Sequence, residues 1–352
     1  MPEQSLVLMR LLGGAIGLGV VLFAFMRFRA GSLSRFETAL RWLIGFGLLA
    51  VCLKPNLADF AVSMLAMEQV AHGRLLALLV LSTLLLWTLF LRERGKLFVT
   101  SKTLDRFVRV YSQRQGMNEC TAQLNGAEVL VVLPALNEAE NIGPVLARVP
   151  NQVAGMEVRV LVIDDGSDDD TAQVVRDSGH AVISHPMRRG QGAAQRLAYD
   201  VAKRIGAEIV VTLDSDGQHL PEEIERLVEP VKADTYDFVI GSRLLGQREE
   251  DSKVRLAGIH VYSALINFLI GTKISDCSNG FKAIRVSSLD RIVLNEDQFQ
   301  AAETIISAAR NGLRIGEVPI TVLRRQSGES KKGRNFTYGF NFARAVFKSW
   351  WR

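Results

Sequence analysis

The sequence has little cysteine and lacks the glycine-rich motifs of two common nucleotide-binding classes. Its three cysteines, Cys52, Cys120 and Cys277, are too widely separated for a paired metal-ligand spacing or a disulfide framework. No P-loop occurs, and Gly190 and Gly192 lack the third glycine of a G-x-G-x-x-G pattern. The sequence therefore excludes a disulfide scaffold and a P-loop protein, and it indicates a reducing compartment.

The composition is that of a folded protein with a mild excess of basic residues. Charged residues make up 22% of the 352 residues, hydrophobic residues 48%, and the formal net charge is +5. Such a chain can bury a full core of about two structural units, and it is not disordered. The basic charge fits a membrane surface or phosphate-bearing ligands. We expect no nucleic-acid partner.

The apolar residues are concentrated before residue 126. Residues 6–26, 39–55 and 75–92 are apolar enough to predict about three transmembrane helices in a membrane domain over residues 1–95. The first segment is not a signal peptide, because no small-residue cleavage site follows it. Two further apolar segments also come after it. The second segment is short, so a buried or interfacial helix is the alternative there.

The basic residues predict the orientation of these segments. The cation-rich loops contain Arg27, Arg29, Arg35, Arg92, Arg94 and Lys96. Because such loops stay on the cytoplasmic side, the segments place the N-terminus outside and everything after residue 92 in the cytoplasm. Residues 96–126 are predicted to form a juxtamembrane linker helix. The aromatic and basic tail, residues 336–352, is predicted to form an amphipathic interfacial helix.

Residues 127–335 have the alternating pattern of an α/β domain. Apolar, strand-like runs at 128–133, 158–163 and 209–213 are separated by short loops and helical segments. This order is typical of parallel βαβ units and predicts a Rossmann-like, mainly parallel sheet.

Acidic residues follow two of these strands. Asp214 and Asp216 come directly after the strand at 209–213, and Asp164 and Asp165 end the strand at 158–163. In an open parallel sheet the carboxyl ends of the strands form the ligand crevice. Carboxylates there are suitable ligands for Mg²⁺ or Mn²⁺. The alternative is that both acidic groups only stabilise turns and cap helices.

Seven short motifs, in order, resemble those of one enzyme family. They are Pro134-Ala135-Leu136-Asn137-Glu138, Asp164-Asp165-Gly166-Ser167, Gly190-Gln191-Gly192, Asp214-Ser215-Asp216-Gly217-Gln218-His219, Gly241-Ser242-Arg243, Ser275-Asp276-Cys277-Ser278-Asn279-Gly280-Phe281 and Gly328-Glu329-Ser330-Lys331. Over about residues 128–332 the chain is similar to the family 2 glycosyltransferases of the dolichyl-phosphate mannose synthase type. The region before it resembles, more loosely, a small bacterial membrane domain that precedes such catalytic domains.

The resemblance implies a GT-A fold, a Mg²⁺ or Mn²⁺ cofactor, a nucleotide-sugar donor, a polyprenyl phosphate acceptor and inversion at the transferred sugar. By the same resemblance, the nucleotide-sugar site would comprise Pro134, Leu136, Glu138, Asp165, Asp214, Ser215 and Arg243. Asp216 and Gln218 would bind the metal, and Arg243, Arg325 and Lys331 would meet a donor or acceptor phosphate. Asp214, Asp216 and Arg243 would then be catalytic residues. Several relatives have an aromatic residue where this chain has Leu136, which leaves the choice of nucleotide open.

The chemistry of the acceptor decides whether a general base is needed. A lipid monophosphate has a second pKa of about 6, so it is largely ionised at neutral pH. It is therefore already a nucleophile. A sugar hydroxyl would need a carboxylate to take its proton, and Asp276 and Glu303 are the candidates. The alternatives to a lipid-phosphate enzyme are therefore transfer to a glycan or glycolipid hydroxyl, or a non-catalytic scaffold that binds a nucleotide sugar. We expect a multi-pass protein of the bacterial inner membrane that can form homo-oligomers through its membrane helices.

Overall fold

The computed structural model describes most of the chain, in two units. The described residues are 3–29, 35–58, 73–249, 253–324 and 336–351. The first unit is Met1–Thr100 and the second is Ser101–Arg352.

The first unit is helical. It contains helix α1 (Glu3–Arg29), helix α2 (Arg35–Leu53), a 3₁₀ turn (Pro55–Ala58) and the beginning of helix α3 (Gly73–Leu124). Helices α1 and α2 approach closely at two glycines, because a Cβ atom on Gly17 would lie 2.8 Å from the carbonyl oxygen of Gly45. Small residues at such a crossing allow the backbones to pack against each other.

Among the described residues, no helix combines the length and the apolar character that crossing a bilayer requires. The transmembrane helices predicted at 6–26, 39–55 and 75–92 are therefore not supported. Helix α2 begins with Arg35, Glu37 and Arg41, which shortens its apolar part, and the apolar part of α3 ends at Arg92. Both stretches fall short of the roughly 20 apolar residues that a span needs.

The second unit alternates strands and helices, as the sequence predicts. Its strands are β1 (Val129–Ala135), β2 (Gln152–Val153), β3 (Met156–Asp164), β4 (Ala181–Ser184), β5 (Ile209–Thr212), β6 (Phe238–Arg248), β7 (Lys282–Arg285) and β8 (Ile315–Val322). Its helices after α3 are α4 (Ala139–Leu146), α5 (Thr171–Asp177), α6 (Gln191–Ile205), α7 (Ile224–Lys232), α8 (Lys253–Ile270), α9 (Gln300–Arg310) and α10 (Phe336–Trp351). Short 3₁₀ segments at Pro221–Glu223 and Val286–Arg291 complete it.

The strands form one mainly parallel sheet in the order β4-β3-β1-β5-β7-β6-β8, with β2 paired to β3. The neighbours β4 and β3, β3 and β1, β1 and β5, and β6 and β8 are parallel. Strand β7 runs antiparallel to both of its neighbours, β5 and β6. The predicted Rossmann-like sheet is confirmed, and the reversed strand at its centre is a feature that the sequence did not predict.

Apolar side chains alternate between the two faces of the sheet. Along β1, Leu130 and Val132 belong to one buried cluster, and Val129, Val131 and Leu133 belong to the other. This is the two-residue period of a strand that is covered on both faces.

The C-terminal part of α3 packs on the first of these clusters. Met117, Cys120 and Leu124 are buried in it, and the Cys120 thiol donates a hydrogen bond to the Val182 carbonyl of β4 at 3.2 Å. The predicted linker helix is therefore part of the α/β unit at this end. Further towards its N-terminus this helix carries exposed apolar side chains, among them Phe107, which is 65% accessible.

Candidate active site

The sheet brings the predicted site residues to one edge. Strands β1, β3 and β5 are parallel, and Ala135 pairs with Asp164, so their carboxyl ends lie side by side. Because β7 is antiparallel, its first residue, Lys282, pairs with Thr212 at the end of β5 and with Ile240 in β6. The loop that precedes β7 and the residues that follow Ile240 therefore join this edge.

The loop after β5 is fixed at both ends. The Ser215 hydroxyl donates to the Pro134 carbonyl of β1 at 2.9 Å, and the Gln218 amide nitrogen Nε2 donates to the Leu323 carbonyl beyond β8 at 3.2 Å. Between them, the Asp216 carboxylate accepts a hydrogen bond from the Gln218 backbone at 3.2 Å. The loop thus holds Asp214 and Asp216 between the ends of β1 and β8.

The carboxylate of Asp214 lies in a narrow space. The Gln191 side chain at the start of α6 donates to Asp214 Oδ1 at 3.2 Å. On the other side, a Cβ atom on Gly280 would lie 2.6 Å from the same oxygen, closer than real Cβ atoms approach. Glycine at position 280 therefore allows the loop before β7 to pass directly over Asp214.

The oxygen ligands at this edge fit a hard divalent cation. Asp216 and Gln218 lie in one loop, are half-buried, and offer a carboxylate and an amide oxygen, the ligand types that Mg²⁺ and Mn²⁺ prefer. In the part of the chain that the structure describes, no cluster of three or more His, Cys, Asp or Glu side chains could enclose a metal by itself. A site with few protein ligands suits a cation that is completed by substrate phosphates.

The two acids at the end of β3 have different partners. Asp164 is buried and accepts a hydrogen bond from the Ser167 backbone at 2.9 Å, which closes the turn. Asp165 accepts hydrogen bonds from the backbone of Arg189 at 2.9 Å and of Gly190 at 2.6 Å. Its Oδ1 atom also lies 3.0 Å from His185 Nδ1. In the structure Asp165 therefore anchors the loop before α6, and its predicted contact with the nucleotide stays a prediction.

The three nucleotide-pocket candidates after β1 lie beside this turn. Pro134 and Leu136 are half-buried and Glu138 is buried. Backbone and side-chain hydrogen bonds join the two loops, including one from the Glu138 backbone to the Thr171 hydroxyl at 2.9 Å. Ser167 lies in the turn before α5, which begins at Thr171, and its hydroxyl accepts a hydrogen bond from the Asn137 backbone at 2.9 Å.

Arg243 and Asp276 form a buried ion pair. Arg243 Nε donates to Asp276 Oδ2 at 2.6 Å, and both side chains are almost fully buried. The second carboxylate oxygen accepts a hydrogen bond from the Ser278 hydroxyl at 3.2 Å. The geometry argues against Asp276 as a general base, because its carboxylate is inaccessible and already bound to a guanidinium. It also shows that Arg243 is paired within the protein.

Glu303 is engaged as well. It lies in the first turn of α9, is buried, and its two oxygens accept hydrogen bonds from the backbone of Asn295 and of Glu296, each at 2.9 Å. It thereby fixes the loop before α9. The two remaining predicted residues, Arg325 and Lys331, lie outside the described residues.

Comparison with known proteins gives the same family as the motifs. The model of Glycosyl transferase family 2 matches residues 130–293. The polyprenol monophosphomannose synthase of Mycolicibacterium smegmatis is 32% identical over 67% of this chain and 91% of its own length. The undecaprenyl-phosphate mannosyltransferase of Micrococcus luteus is 32% identical over 58% of this chain and 86% of its own. This protein belongs to glycosyltransferase family 2 and is a glycosyltransferase.

A solved structure gives the same fold. The glucosyl-3-phosphoglycerate synthase of Mycobacterium tuberculosis, crystallised with Mn²⁺, UDP and glucosyl-3-phosphoglycerate, superimposes with a TM-score of 0.52. The two chains are 23% identical, and the match covers 65% of this chain and 81% of that one. The expected GT-A-like fold of the second unit is thus confirmed.

Sequence reasoning missed four residues of this edge. His185 and Gln191 contact Asp165 and Asp214, while Gly280 and Lys282 bring the loop before β7 to the site. Gln191 and Gly280 stand within the family-like motifs, which was a signal for both. Lys282 gave no signal, because a lysine at the start of a short strand is usually solvated.

Proposed function

We propose that this protein transfers a sugar from a nucleotide-sugar donor to a polyprenyl phosphate, with a divalent cation and with inversion at the sugar. One observation carries the choice of acceptor. Asp276 and Glu303, the two candidates for a general base, are both buried, and their carboxylates are occupied by Arg243 and by backbone amides. An acceptor that is already ionised needs neither of them.

The proposed reaction is a single displacement. An oxygen of the acceptor phosphate forms a bond to the anomeric carbon of the sugar, and the bond from that carbon to the donor diphosphate breaks. The nucleoside diphosphate leaves with the electron pair, and the products are a polyprenyl-phosphate sugar and the free nucleotide. No proton transfer is required, since the attacking oxygen is deprotonated at neutral pH.

The residues at the sheet edge have distinct roles in this proposal. Asp216 and Gln218 would hold Mg²⁺ or Mn²⁺, which when bound neutralises the charge that develops on the departing diphosphate. Asp214 would lie beside the donor diphosphate, and its carboxylate accepts a hydrogen bond from the Gln191 side chain. Arg243, bound to Asp276, keeps the loop before β7 in place against the middle of β6.

The relatives support the acceptor class. Their names specify polyprenol monophosphomannose synthesis and undecaprenyl-phosphate mannosyl transfer. A polyprenyl phosphate resides in a bilayer, so we further propose that the enzyme works at the cytoplasmic face of a membrane. The phosphate contacts of Arg325 and Lys331 stay predictions. The formation of homo-oligomers stays a prediction as well.

A transfer assay with a metal-site variant tests the proposal. Purified protein is incubated with radiolabelled UDP-, GDP- and dTDP-sugars, undecaprenyl phosphate in detergent, and Mg²⁺ or Mn²⁺. We expect one donor to label the lipid phase, and Asp216→Ala to abolish this transfer. Asp177→Ala, an exposed acid at the end of α5, serves as the control and should retain wild-type turnover.

Two results would contradict the proposal. Lipid labelling that persists when EDTA removes the metal, or at the wild-type rate in Asp216→Ala, would refute the assigned metal role. Labelling of an added glycan fraction, with none in the lipid, would assign the acceptor to the hydroxyl class.

A further inference from the structure

A buried arginine lies behind the start of α6. Arg196, in the second turn of this helix, is only 8% exposed. Its guanidinium donates hydrogen bonds to the Asp105 carboxylate of α3 at 2.8 Å and to the Asp297 carboxylate, in the loop before α9, at 2.6 Å. It also donates to the Glu296 carbonyl at 3.1 Å. One planar guanidinium thus joins α6 to α3 and to this loop.

Two further helices hold the same loop, residues 295–297. Glu303 of α9 accepts hydrogen bonds from two of its backbone amides, each at 2.9 Å. Lys348 of α10 forms an ion pair with the Glu296 carboxylate at 2.6 Å. Side chains of α6, α9 and α10 therefore fix the 295–297 loop.

The 295–297 loop lies directly against the start of α6. The Gly192 backbone donates a hydrogen bond to the Asp297 carbonyl at 3.0 Å. A Cβ atom on Gly190 would lie 2.8 Å from the same oxygen, and a Cβ atom on Gly192 would clash with the Glu296 carbonyl oxygen. Glycine allows this close approach because it has no side chain. The position of the loop therefore determines the position of the turn that begins α6.

That turn supplies partners to both acids of the proposed donor site. The Gln191 side chain donates to the Asp214 carboxylate at 3.2 Å. The backbone amides of Arg189 and Gly190 donate to the Asp165 carboxylate at 2.9 Å and 2.6 Å. A displacement of the turn would therefore move the partners of both carboxylates.

We propose that Arg196 is a positioning residue for sugar transfer: by holding the 295–297 loop against the start of α6, it keeps Gln191 in place to orient the Asp214 carboxylate. This role rests on the proposed function, in which Asp214 would lie beside the donor diphosphate. Arginine suits the position because its rigid fork of donors can bind two carboxylates and a carbonyl at once, whereas a lysine ammonium is a single point charge.

A double-mutant cycle separates positioning from structural support. Arg196→Met removes the guanidinium, and Gln191→Leu removes the side chain through which it would act. We expect each single variant to lower kcat/KM for the donor on the order of tenfold or more, because misplaced groups cost that much. The double variant should be no slower than the slower single variant, since the two residues act on one contact. Arg159→Met, which breaks the partly exposed pair with Glu157 in β3, is the control and should keep the wild-type kcat/KM.

A conservative variant covers the case in which Arg196→Met does not fold. Arg196→Lys keeps a positive charge between the two carboxylates but lacks the fork that also reaches the Glu296 carbonyl. We expect it to fold, to lower kcat/KM in the wild-type background, and to cause no further loss in the Gln191→Leu background.

A second measurement is independent of activity. In protein labelled with ¹⁵N at the glutamine side chains, the Gln191 amide signal is assigned by its loss in Gln191→Leu. Arg196→Lys should shift this signal, and Arg159→Met should not. The measurement needs neither donor nor acceptor, so its failure is distinguishable from failure of the proposed function.

Either of two outcomes overturns the proposal. The first is a kinetic effect of the Arg196 variants that is absent, or that persists undiminished in the Gln191→Leu background, as a purely structural role would give. The second is a Gln191 amide signal that no folded Arg196 variant moves.

Discussion

Replacing Asp276 by asparagine should destabilise the protein strongly. Asp276→Asn keeps the shape of the side chain but removes the negative charge that faces the Arg243 guanidinium. The pair is inaccessible to solvent and joined by a 2.6 Å hydrogen bond. Removing one partner of a buried pair leaves an uncompensated charge and costs about 3–5 kcal/mol.

Urea unfolding measures this loss as a lower free energy of unfolding. Arg243→Met with Asp276→Leu removes both charges, and this double variant should recover most of the stability, since apolar replacement of a buried pair is often neutral. The matched control is Glu222→Gln, which breaks the exposed pair between Arg148 and Glu222 at 2.9 Å. That change should cost about 1 kcal/mol or less.

The opposite pattern would refute the assignment. If Asp276 were a general base, Asp276→Asn would fold with a free energy of unfolding within about 1 kcal/mol of wild type while kcat collapsed. That result would show that the carboxylate is accessible during turnover, and it would favour a hydroxyl acceptor.

Two further predictions concern the groups around Asp214. Gly280→Ala should lower kcat by on the order of tenfold or more, because its Cβ atom would lie 2.6 Å from the Asp214 carboxylate; the control Gly258→Ala meets only an ordinary contact and should keep wild-type kcat. The second prediction follows from the pKa of Lys282, about 7 when folded against 10.5 for the free side chain. Between these values the unfolded chain binds more protons, so the free energy of unfolding should rise with pH by up to about 1.4 kcal/mol per unit relative to Lys282→Met. Equal slopes in urea unfolding from pH 7.5 to 9.5 would show that this lysine titrates normally.

Local patterns predicted much of the catalytic unit. The apolar runs before Asp164 and Asp214 are strands β3 and β5, and both end at the same edge of the sheet. Strand alternation and short βα links depend on neighbouring residues, so they can be recognised without the structure.

Pairings between distant residues could not be predicted. Arg243 and Asp276 are 33 residues apart, and each resembles a candidate ligand contact until the fold shows that they bind each other. The same holds for Glu303, whose sequence context is that of an ordinary helix-surface acid. Its role depends on the loop at residues 295 and 296, which folds back onto the first turn of α9.

The reversed strand β7 explains why Lys282 was missed. Its four residues are too few to show a strand period, and its direction depends on pairing with β5 and β6. Only that direction turns the first residue of the strand, and the loop containing Gly280, toward the donor edge.

The acceptor phosphate is the central claim, and one comparison of acceptors tests it most directly. The purified enzyme, with its labelled donor and divalent cation, is offered undecaprenyl phosphate or undecaprenol, which has the same chain but a hydroxyl in place of the phosphate. We predict labelled lipid from the phosphate and none from the alcohol, since the two candidate bases, Asp276 and Glu303, are buried and already hydrogen-bonded. Labelling of undecaprenol at a comparable rate would contradict the account and require an accessible base at the site.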